Sequence, residues 1–297
     1  MKKKTIIVDG SNLLHRSYWV SNVRRGVAVE QLFVNSIKKL GEQFKFDEYI
    51  CVWDARQIRG VKNYRRSGDK QYKQNRDQSK NNKVFSHEPA CVEIIKCLGV
   101  KNLNPGILEA DDYIAWLTRH PGISESVVVS SDGDLLQLVS DNCCVYNPIK
   151  DLIISEDNFE DVTTVSNVRD FITFKAIVGD KSDNIAGVSG VGPKRALALI
   201  NDGLRNLPKG AAKIVEHNID LIDLSCGLAH HPEEAGIYEE TYNKVSTDSK
   251  VDMHQFTSMC KTHDLQQSLK NLSAYERCFD STKSTEAIVT NLIKLLE

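Results

Sequence analysis

Three short apolar runs, each closing on an aspartate, constrain the fold of this 297-residue chain more than any other feature. Thr5-Ile6-Ile7-Val8 stops at Asp9-Gly10, Tyr49-Ile50-Cys51-Val52-Trp53 stops at Asp54, and Val127-Val128-Val129 stops at Ser130-Ser131-Asp132. Continuous runs of this length suit strands buried on both faces, as in a parallel sheet. Between them Val29, Leu32, Phe33, Ile37, Leu40 and Phe44 recur at helical spacing. Cys91, Ile94, Ile95 and Leu98 do the same, with Gly99 as a stop. Such alternation predicts an α/β fold, a central mostly parallel sheet flanked by helices with right-handed crossovers. Ligands of such sheets bind beyond the carboxyl ends of the strands, where Asp9, Asp54 and Asp132 all fall.

After about residue 160 the pattern turns helical. Val168, Phe171, Ile172 and Lys175 begin a helix that leads into Gly179-Asp180-Lys181-Ser182-Asp183. Asp180 and Asp183, three residues apart, can share one face of a helical turn. Gly187, Gly190 and Gly192 follow, then Pro193 and Ala196-Leu197-Ala198-Leu199-Ile200, a predicted helix with Pro193 in its first turn and Gly203 as its stop. Glycine turns ahead of a helix start expose backbone N–H groups, and Lys194 and Arg195 beside them complete a phosphate-sized socket. Beyond about residue 225 the chain offers His230-His231, whose side chains diverge too far to bind one metal together, and amphipathic fragments such as Ala287–Ile293. The division is therefore an α/β catalytic region over 1–160 and a helical region over 161–297, with the glycine-turn element at about 179–203.

The overall charge is near balance: Lys and Arg number 38 against 40 Asp and Glu, a formal net charge of -2. A nucleic-acid binder of that composition must segregate its charges. Residues 56–85 do so. Arg56, Arg59, Lys62, Arg65, Arg66, Lys70, Lys73, Arg76, Lys80 and Lys83 face only Asp69 and Asp77, with Tyr64 and Tyr72 interleaved as stacking surfaces for unpaired bases. Lacking an apolar helical stripe, the stretch is expected to be mobile without substrate. The eight cysteines show neither CxxC nor zinc spacing and read as reduced thiols of a cytoplasmic protein. The apolar stretch after Lys2-Lys3-Lys4 ends at Asp9, too soon for a signal peptide, and no run is long enough to span a bilayer.

Nine acids form the candidate metal set: Asp9, Asp54, Glu109, Asp111, Asp112, Asp132, Asp134, Asp180 and Asp183. Glu109-Ala110-Asp111-Asp112 opens a predicted helix, where acids also favour the helix dipole. So many carboxylates at one sheet edge repel unless cations neutralise them. Hard oxygen donors suit Mg²⁺ or Mn²⁺, and two such ions about 3.5–4 Å apart would activate water and stabilise the leaving oxygen of a phosphodiester.

Six segments in order then resemble the flap endonuclease and 5′-3′ exonuclease family, in its compact bacteriophage form and as the 5′-nuclease part of bacterial DNA polymerase I. They are Val8-Asp9-Gly10-Ser11-Asn12 with Arg16, Val52-Trp53-Asp54, Tyr72-Lys73-Gln74-Asn75-Arg76, Glu109–Asp112, Ser130–Asp134, and Gly179 to Ala196. The resemblance implies a PIN-like, resolvase-like sheet. It gives Asp9, Asp54, Glu109, Asp111 and Asp112 to one metal site, and Asp132, Asp134, Asp180 and Asp183 to the other. Lys73 and Arg76 match the basic pair at the foot of a helical arch that steers the scissile phosphate. That role places them with Asp111 and Asp132 as catalytic candidates. Arg16 matches a residue near the 5′ end of the substrate. Gly187, Gly190, Gly192, Lys194 and Arg195 match a helix–hairpin–helix that grips duplex backbone, with K⁺ as a further cofactor, and Arg65, Arg66, Tyr72, Lys80 and Lys83 join the DNA contacts. Two departures stand out: Ala186 replaces the usual proline, and Arg195 stands where threonine is common.

The implied activity is a divalent-metal 5′-3′ exonuclease and 5′ flap endonuclease, monomeric, acting on DNA ends, flaps or branches. A polymerase or single-strand-binding protein is a candidate partner, and RNA–DNA hybrids are an alternative substrate. The rival readings are a PIN-type or RNase H-like ribonuclease, a catalytically inactive branch-binding protein, and a phosphatase built on Asp132 and Asp134. The arch and glycine turns argue against the first and last, and the complete acid set against the second.

Overall fold

A computed structural model describes residues 2–24, 26–54, 64–69, 71–74, 78–104, 106–248 and 250–279. Strand β1 (Lys3–Asp9) runs into helix α1 (Gly10–Val23), followed by α2 (Val29–Gln43) and β2 (Glu48–Val52). After two short helices, α3 (Tyr64–Gly68) and α4 (Gln78–Phe85), come α5 (Glu88–Lys96), β3 (Lys101–Leu103), α6 (Ala110–Thr118), β4 (Ile123–Val129), a 3-10 turn at Gly133–Leu138, β5 (Cys143–Asn147) and β6 (Leu152–Ile154). The sheet order is β3-β2-β1-β4-β5-β6, parallel throughout except for antiparallel β6. The chain thus winds outward from β1 in one direction to β3 and resumes on its other side at β4. The crevice at such a reversal lies beyond the carboxyl ends of β1 and β4, at Asp9 and at Ser130 to Asp132.

The apolar runs are buried as their composition demands. Ile6, Ile7, Val8, Ile50, Cys51, Val52 and Val128 have no exposure, because each face of the sheet carries a helical layer. Ile6, Val8, Cys51 and Val127 face a cluster with Leu14, Phe33, Ile37 and Ile94, whereas Ile7, Ile50, Val52 and Val128 face Tyr113, Ile114 and Leu117. This alternation is the two-residue period of a strand.

The helical remainder begins with α7 (Phe159–Thr163) and α8 (Val168–Val178), then a two-stranded ribbon of β7 (Gly179–Asp180) and β8 (Ile185–Ala186). Next are α9 (Pro193–Asn201), α10 (Ala211–Ile222), α11 (Cys226–His230), α12 (Glu233–Asp248), α13 (Met253–Thr262), α14 (Gln266–Leu269) and α15 (Leu272–Phe279). Helices α8 to α10 close a small core of Ala176, Ile177, Ile185, Val188, Ala196, Leu199 and Val215. The later helices return to the sheet layers. Tyr238 and Tyr242 join one face, and Phe256, Cys260, Leu265 and Tyr275 join the other. Residue 160 therefore marks where the strands of the central sheet end but not where that sheet's own core ends. Tyr242 Oη also donates to buried Glu48, which pairs with Lys3 at 2.9 Å and with Lys101, fastening α12 to the strand ends opposite the crevice. Among the described residues no helix is long and apolar enough to cross a membrane. The fragment 287–293, the basic residues at 56–62, Lys70 and Arg76 lie outside the described residues, as do the side chains of Arg66 and Lys80.

Candidate active site

Each acid at the crevice is held by the element that delivers it. Asp9 ends β1 and caps α1, its Oδ1 accepting from Asn12 N–H at 2.9 Å while Ser130 Oγ donates to Oδ2 at 2.9 Å. The same serine accepts from Asp132 N–H at 3.0 Å. Asn12 Oδ1 in turn accepts from Ser131 N–H and Oγ, so the ends of β1 and β4 are stitched together. Asp132 caps the 3-10 turn through Asp134 N–H at 2.9 Å. Asp54 Oδ1 accepts from Ala110 N–H at 3.3 Å, joining the end of β2 to the start of α6.

The electrostatics follow from this convergence. Burial pushes the Asp9 carboxyl up to about 7, with the charges of Asp54 and Asp132 adding to the rise. Asp111 is raised well above the ordinary 3.8 by burial and then by Asp132, Asp9 and Asp54, with Lys73 only partly offsetting them. Each of the two is reluctant to ionise chiefly because it is buried, and the neighbouring carboxylates add to that. Among the described residues no ion pair reaches Asp9, Asp54, Asp111 or Asp132. Hard oxygen donors in mutual repulsion fit a divalent cation in their chemistry. Their positions are not yet closed around one: among the described residues no three His, Cys, Asp or Glu side chains are set to hold a metal as they stand.

Glu109 belongs to the opposite regime. Burial alone would raise its pKa, yet Lys73 and Arg65 overcome that and hold it at about 2. Lys73 Nζ lies 2.9 Å from Oε1, while Tyr72 Oη at 3.0 Å and an Arg65 Nη at 3.3 Å donate to Oε2. Tyr72 Oη is also 3.1 Å from Asp183, and Lys73 Nζ 3.6 Å. Asp180 is likewise held at about 2: burial opposes ionisation, but Lys175 and Ser182 prevail. Lys175 pairs with Asp180 at 2.7 Å and with Asp134.

Three residue assignments are corrected by these contacts. Asp112 is no candidate ligand, because both its oxygens are taken by Arg65 at 2.7 Å and its side chain has no exposure. Arg65 is not a DNA contact, being 1% exposed and inside that pair. Tyr72, at 4% exposure, presents no face to a base. Lys73 stays at the site but is turned into the acid cluster. Lys83 is exposed on α4, and Arg16 is half-buried on α1, within two turns of Asp9. His230 stacks on Tyr64 with ring centroids 4.5 Å apart and bonds to Asp220, so it is structural. The residue of the acid cluster that pattern reading missed is Lys175, read there only as part of a helix. Its partners Asp134 and Asp180 belong to other elements, and no local spacing signals such a pairing. Ser130 and Asn12 were inside quoted motifs, but their hydrogen-bond roles were not assigned.

The glycine-turn element has the expected local geometry. β7 pairs with β8 through Gly179↔Ala186 and Asp180↔Ile185. A Cβ on Gly187 would stand 2.1 Å from the Val178 carbonyl oxygen, so only glycine fits there. Gly190 has φ 72°. Gly192 caps α9 with Pro193 in its first turn, and Lys194 and Arg195 are exposed beside this N-terminus.

The family model of the 5′-3′ exonuclease N-terminal resolvase-like domain matches residues 4–167. A 5′-3′ exonuclease of Buchnera aphidicola subsp. Schizaphis graminum is 31% identical over 224 residues, 72% of this chain and 76% of that protein. The chain belongs to the 5′-3′ exonuclease family and is a nuclease of that family. Its fold is that of the bacteriophage T5 D15 protein co-crystallised with metal ions, with TM-score 0.68 and 21% identity, covering 83% of this chain and all of that one. The T5 D15 flap endonuclease in a pseudo-enzyme-product complex with DNA and metal ions aligns with TM-score 0.67 and 20% identity, covering 83% and 99%.

Proposed function

We propose that this nuclease cuts DNA at 5′ ends and 5′ flaps, using Mg²⁺ or Mn²⁺ held by Asp9, Asp54, Glu109, Asp111 and Asp132, with Asp134, Asp180 and Asp183 supporting a second ion. The observation that carries this reading is the convergence of Asp9, Asp54, Asp111 and Asp132 at the reversal of the sheet, where burial first and neighbouring carboxylates second raise Asp9 and Asp111. Carboxylates gathered in a crevice with raised pKa values are the arrangement that a divalent cation relieves. Bound ions supply an activated water and charge stabilisation for the departing oxygen. The T5 D15 flap endonuclease structure likewise holds DNA and metal ions, as a pseudo-enzyme-product complex.

The chain's own groups supply the rest. Lys73 is placed by its backbone, at φ 53°, to carry an ammonium against Glu109 and Asp183 at the edge of the cluster. A phosphodiester arriving there competes with these carboxylates for that charge, which orients the scissile group. Lys194, Arg195 and the N–H groups at Gly190 and Gly192 bind the duplex backbone without reading sequence, and K⁺ at this turn would neutralise phosphate there as well. Arg16 and Arg76 are assigned to the 5′-end region and the phosphate, and Arg66, Lys80 and Lys83 to the single-stranded arm.

The test is cleavage of a 5′-labelled flap with Mg²⁺, comparing the natural protein with Asp132→Asn. The natural protein cuts near the junction and the variant binds without cutting. Binding without cutting by the natural protein, or equal cutting by the variant, sinks the proposal. A hybrid with an RNA flap in parallel shows whether RNA is accepted.

A further inference from the structure

Among the described residues Arg65 is the most buried arginine near the crevice, at 1% exposure, and nothing in the proposed reaction uses it. Its guanidinium makes four directed contacts with Asp112, Glu109 and Leu221. Two run in parallel to the oxygens of Asp112 at 2.7 Å, one runs to Glu109 Oε2 at 3.3 Å, and Nε donates to the Leu221 carbonyl at the end of α10 at 2.9 Å. Asp112 Oδ2 also accepts from Glu109 N–H at 3.0 Å. Glu109 is therefore gripped at both ends by one pair, its backbone through Asp112 and its carboxylate through Arg65. The pair is sealed by α11, where a Cβ on Gly227 would come 2.4 Å from Asp112 Oδ1.

A buried ion pair is not needed for stability, since well-packed apolar residues usually serve as well. What an arginine uniquely provides is a rigid planar fork that fixes several acceptors at once. Here those acceptors are the first turn of α6, which carries Glu109 and Asp111, and the last turn of α10 beside the DNA-gripping element. Tyr64, the neighbouring residue, donates to the Asp220 carbonyl at 3.2 Å, so the same segment is tied to α10 twice.

We propose that Arg65, through Asp112, is a positioning residue for metal binding. It holds Glu109 in the direction from which its carboxylate meets the cation, and it locks that direction to the DNA-binding helices. This rests on the reading of Glu109 as a metal ligand. Loss of an outer partner of a metal ligand typically lowers metal affinity about 10–100-fold.

Two variants test it. Arg65→Lys keeps the charge but cannot span four acceptors, and Asp112→Asn keeps the shape but weakens the grip. For each, three quantities are measured: flap-DNA affinity and its salt slope without divalent metal, the Mg²⁺ concentration for half-maximal cleavage, and the Mg²⁺ concentration for half-maximal rise in melting temperature. Both variants should bind DNA as the natural protein does, with both Mg²⁺ midpoints shifted up by about tenfold or more. Weakened DNA affinity with unmoved Mg²⁺ midpoints would instead make Arg65 a DNA contact and overturn the proposal, as would folded variants in which no quantity moves. If Arg65→Lys fails to fold, Asp112→Asn decides alone. If the natural protein shows no Mg²⁺-dependent melting shift or cleavage, the metal-nuclease reading fails, a result separate from a variant that differs from a working parent.

Discussion

The two halves of the acid cluster solve the same electrostatic problem in opposite ways. Around Asp9, Asp54, Asp111 and Asp132 the carboxylates face one another, and Asp9 and Asp111 resist ionisation. Around Glu109, Asp112, Asp134, Asp180 and Asp183 the protein supplies its own cations in Arg65, Lys73 and Lys175, and Glu109 and Asp180 are acidified to about 2. The difference teaches where an external cation gains most. The first half has charge to be neutralised, whereas in the second an incoming ion must displace an ammonium or share its partners.

The largest effect that would break this comparison is in the uncompensated half. Asp111→Asn should lower the cleavage rate by roughly a thousandfold, the several kcal/mol that a bound metal contributes. It should also raise the melting temperature of the metal-free protein above neutral pH, because the buried carboxyl that must there keep a proton or ionise against its neighbours is gone. An unchanged or lower metal-free stability would show that Asp111 is not strained by its neighbours. In the compensated half the sign reverses. Arg65→Met strands the Asp112 carboxylate in the interior and should cost about 3–5 kcal/mol in denaturant unfolding. The double variant Arg65→Met with Asp112→Leu should recover much of that loss.

Lys175→Met is a milder version of the same test. With side chains 12–19% exposed around it, the loss should be about 2 kcal/mol without metal, and Mg²⁺ should restore more of it than it adds to the natural protein. Acidity gives a subtler reading. Asp9 and Asp111 hold protons in the metal-free fold that the unfolded chain, with carboxyls near 3.8, has already released. The native state then binds more protons, so metal-free stability falls as pH rises from about 4 through 7. Glu109 and Asp180 titrate below that window. Melting temperatures at pH 5 and pH 8, with and without Mg²⁺, should therefore diverge most at pH 8, and a flat profile would remove the contrast between the halves. The smallest expected change lies outside the cluster. Replacing Lys194 and Arg195 together by alanine should reduce the slope of log affinity against log salt by about 2, with cleavage at saturating DNA retained.

Much of this was legible locally. A β-branched run ending in aspartate needs only its neighbours to become a buried strand with an acid at its end, so Asp9, Asp54 and Asp132 were placed by pattern. The turn at Gly187 to Pro193 was equally local, since glycine and proline restrict backbone angles residue by residue. Pattern reading failed where charge met charge. Arg65 sits in a basic run and reads as a DNA contact, Asp112 in an acidic helix start and reads as a metal ligand, yet they are buried together across 47 positions. Asp112 and Asp111 are adjacent, but helical rotation sends one inward to Arg65 and the other to the crevice.

The sequence alone therefore determined the buried strands, the glycine turn ahead of α9, the order of the acids and the family. Short-range sterics and apolar burial decide these, and both are written in consecutive residues. Only the tertiary structure decided which of those acids carry an internal cation and which are left facing one another. Coulomb energy and desolvation depend on distances between segments far apart in the chain, which no local pattern records.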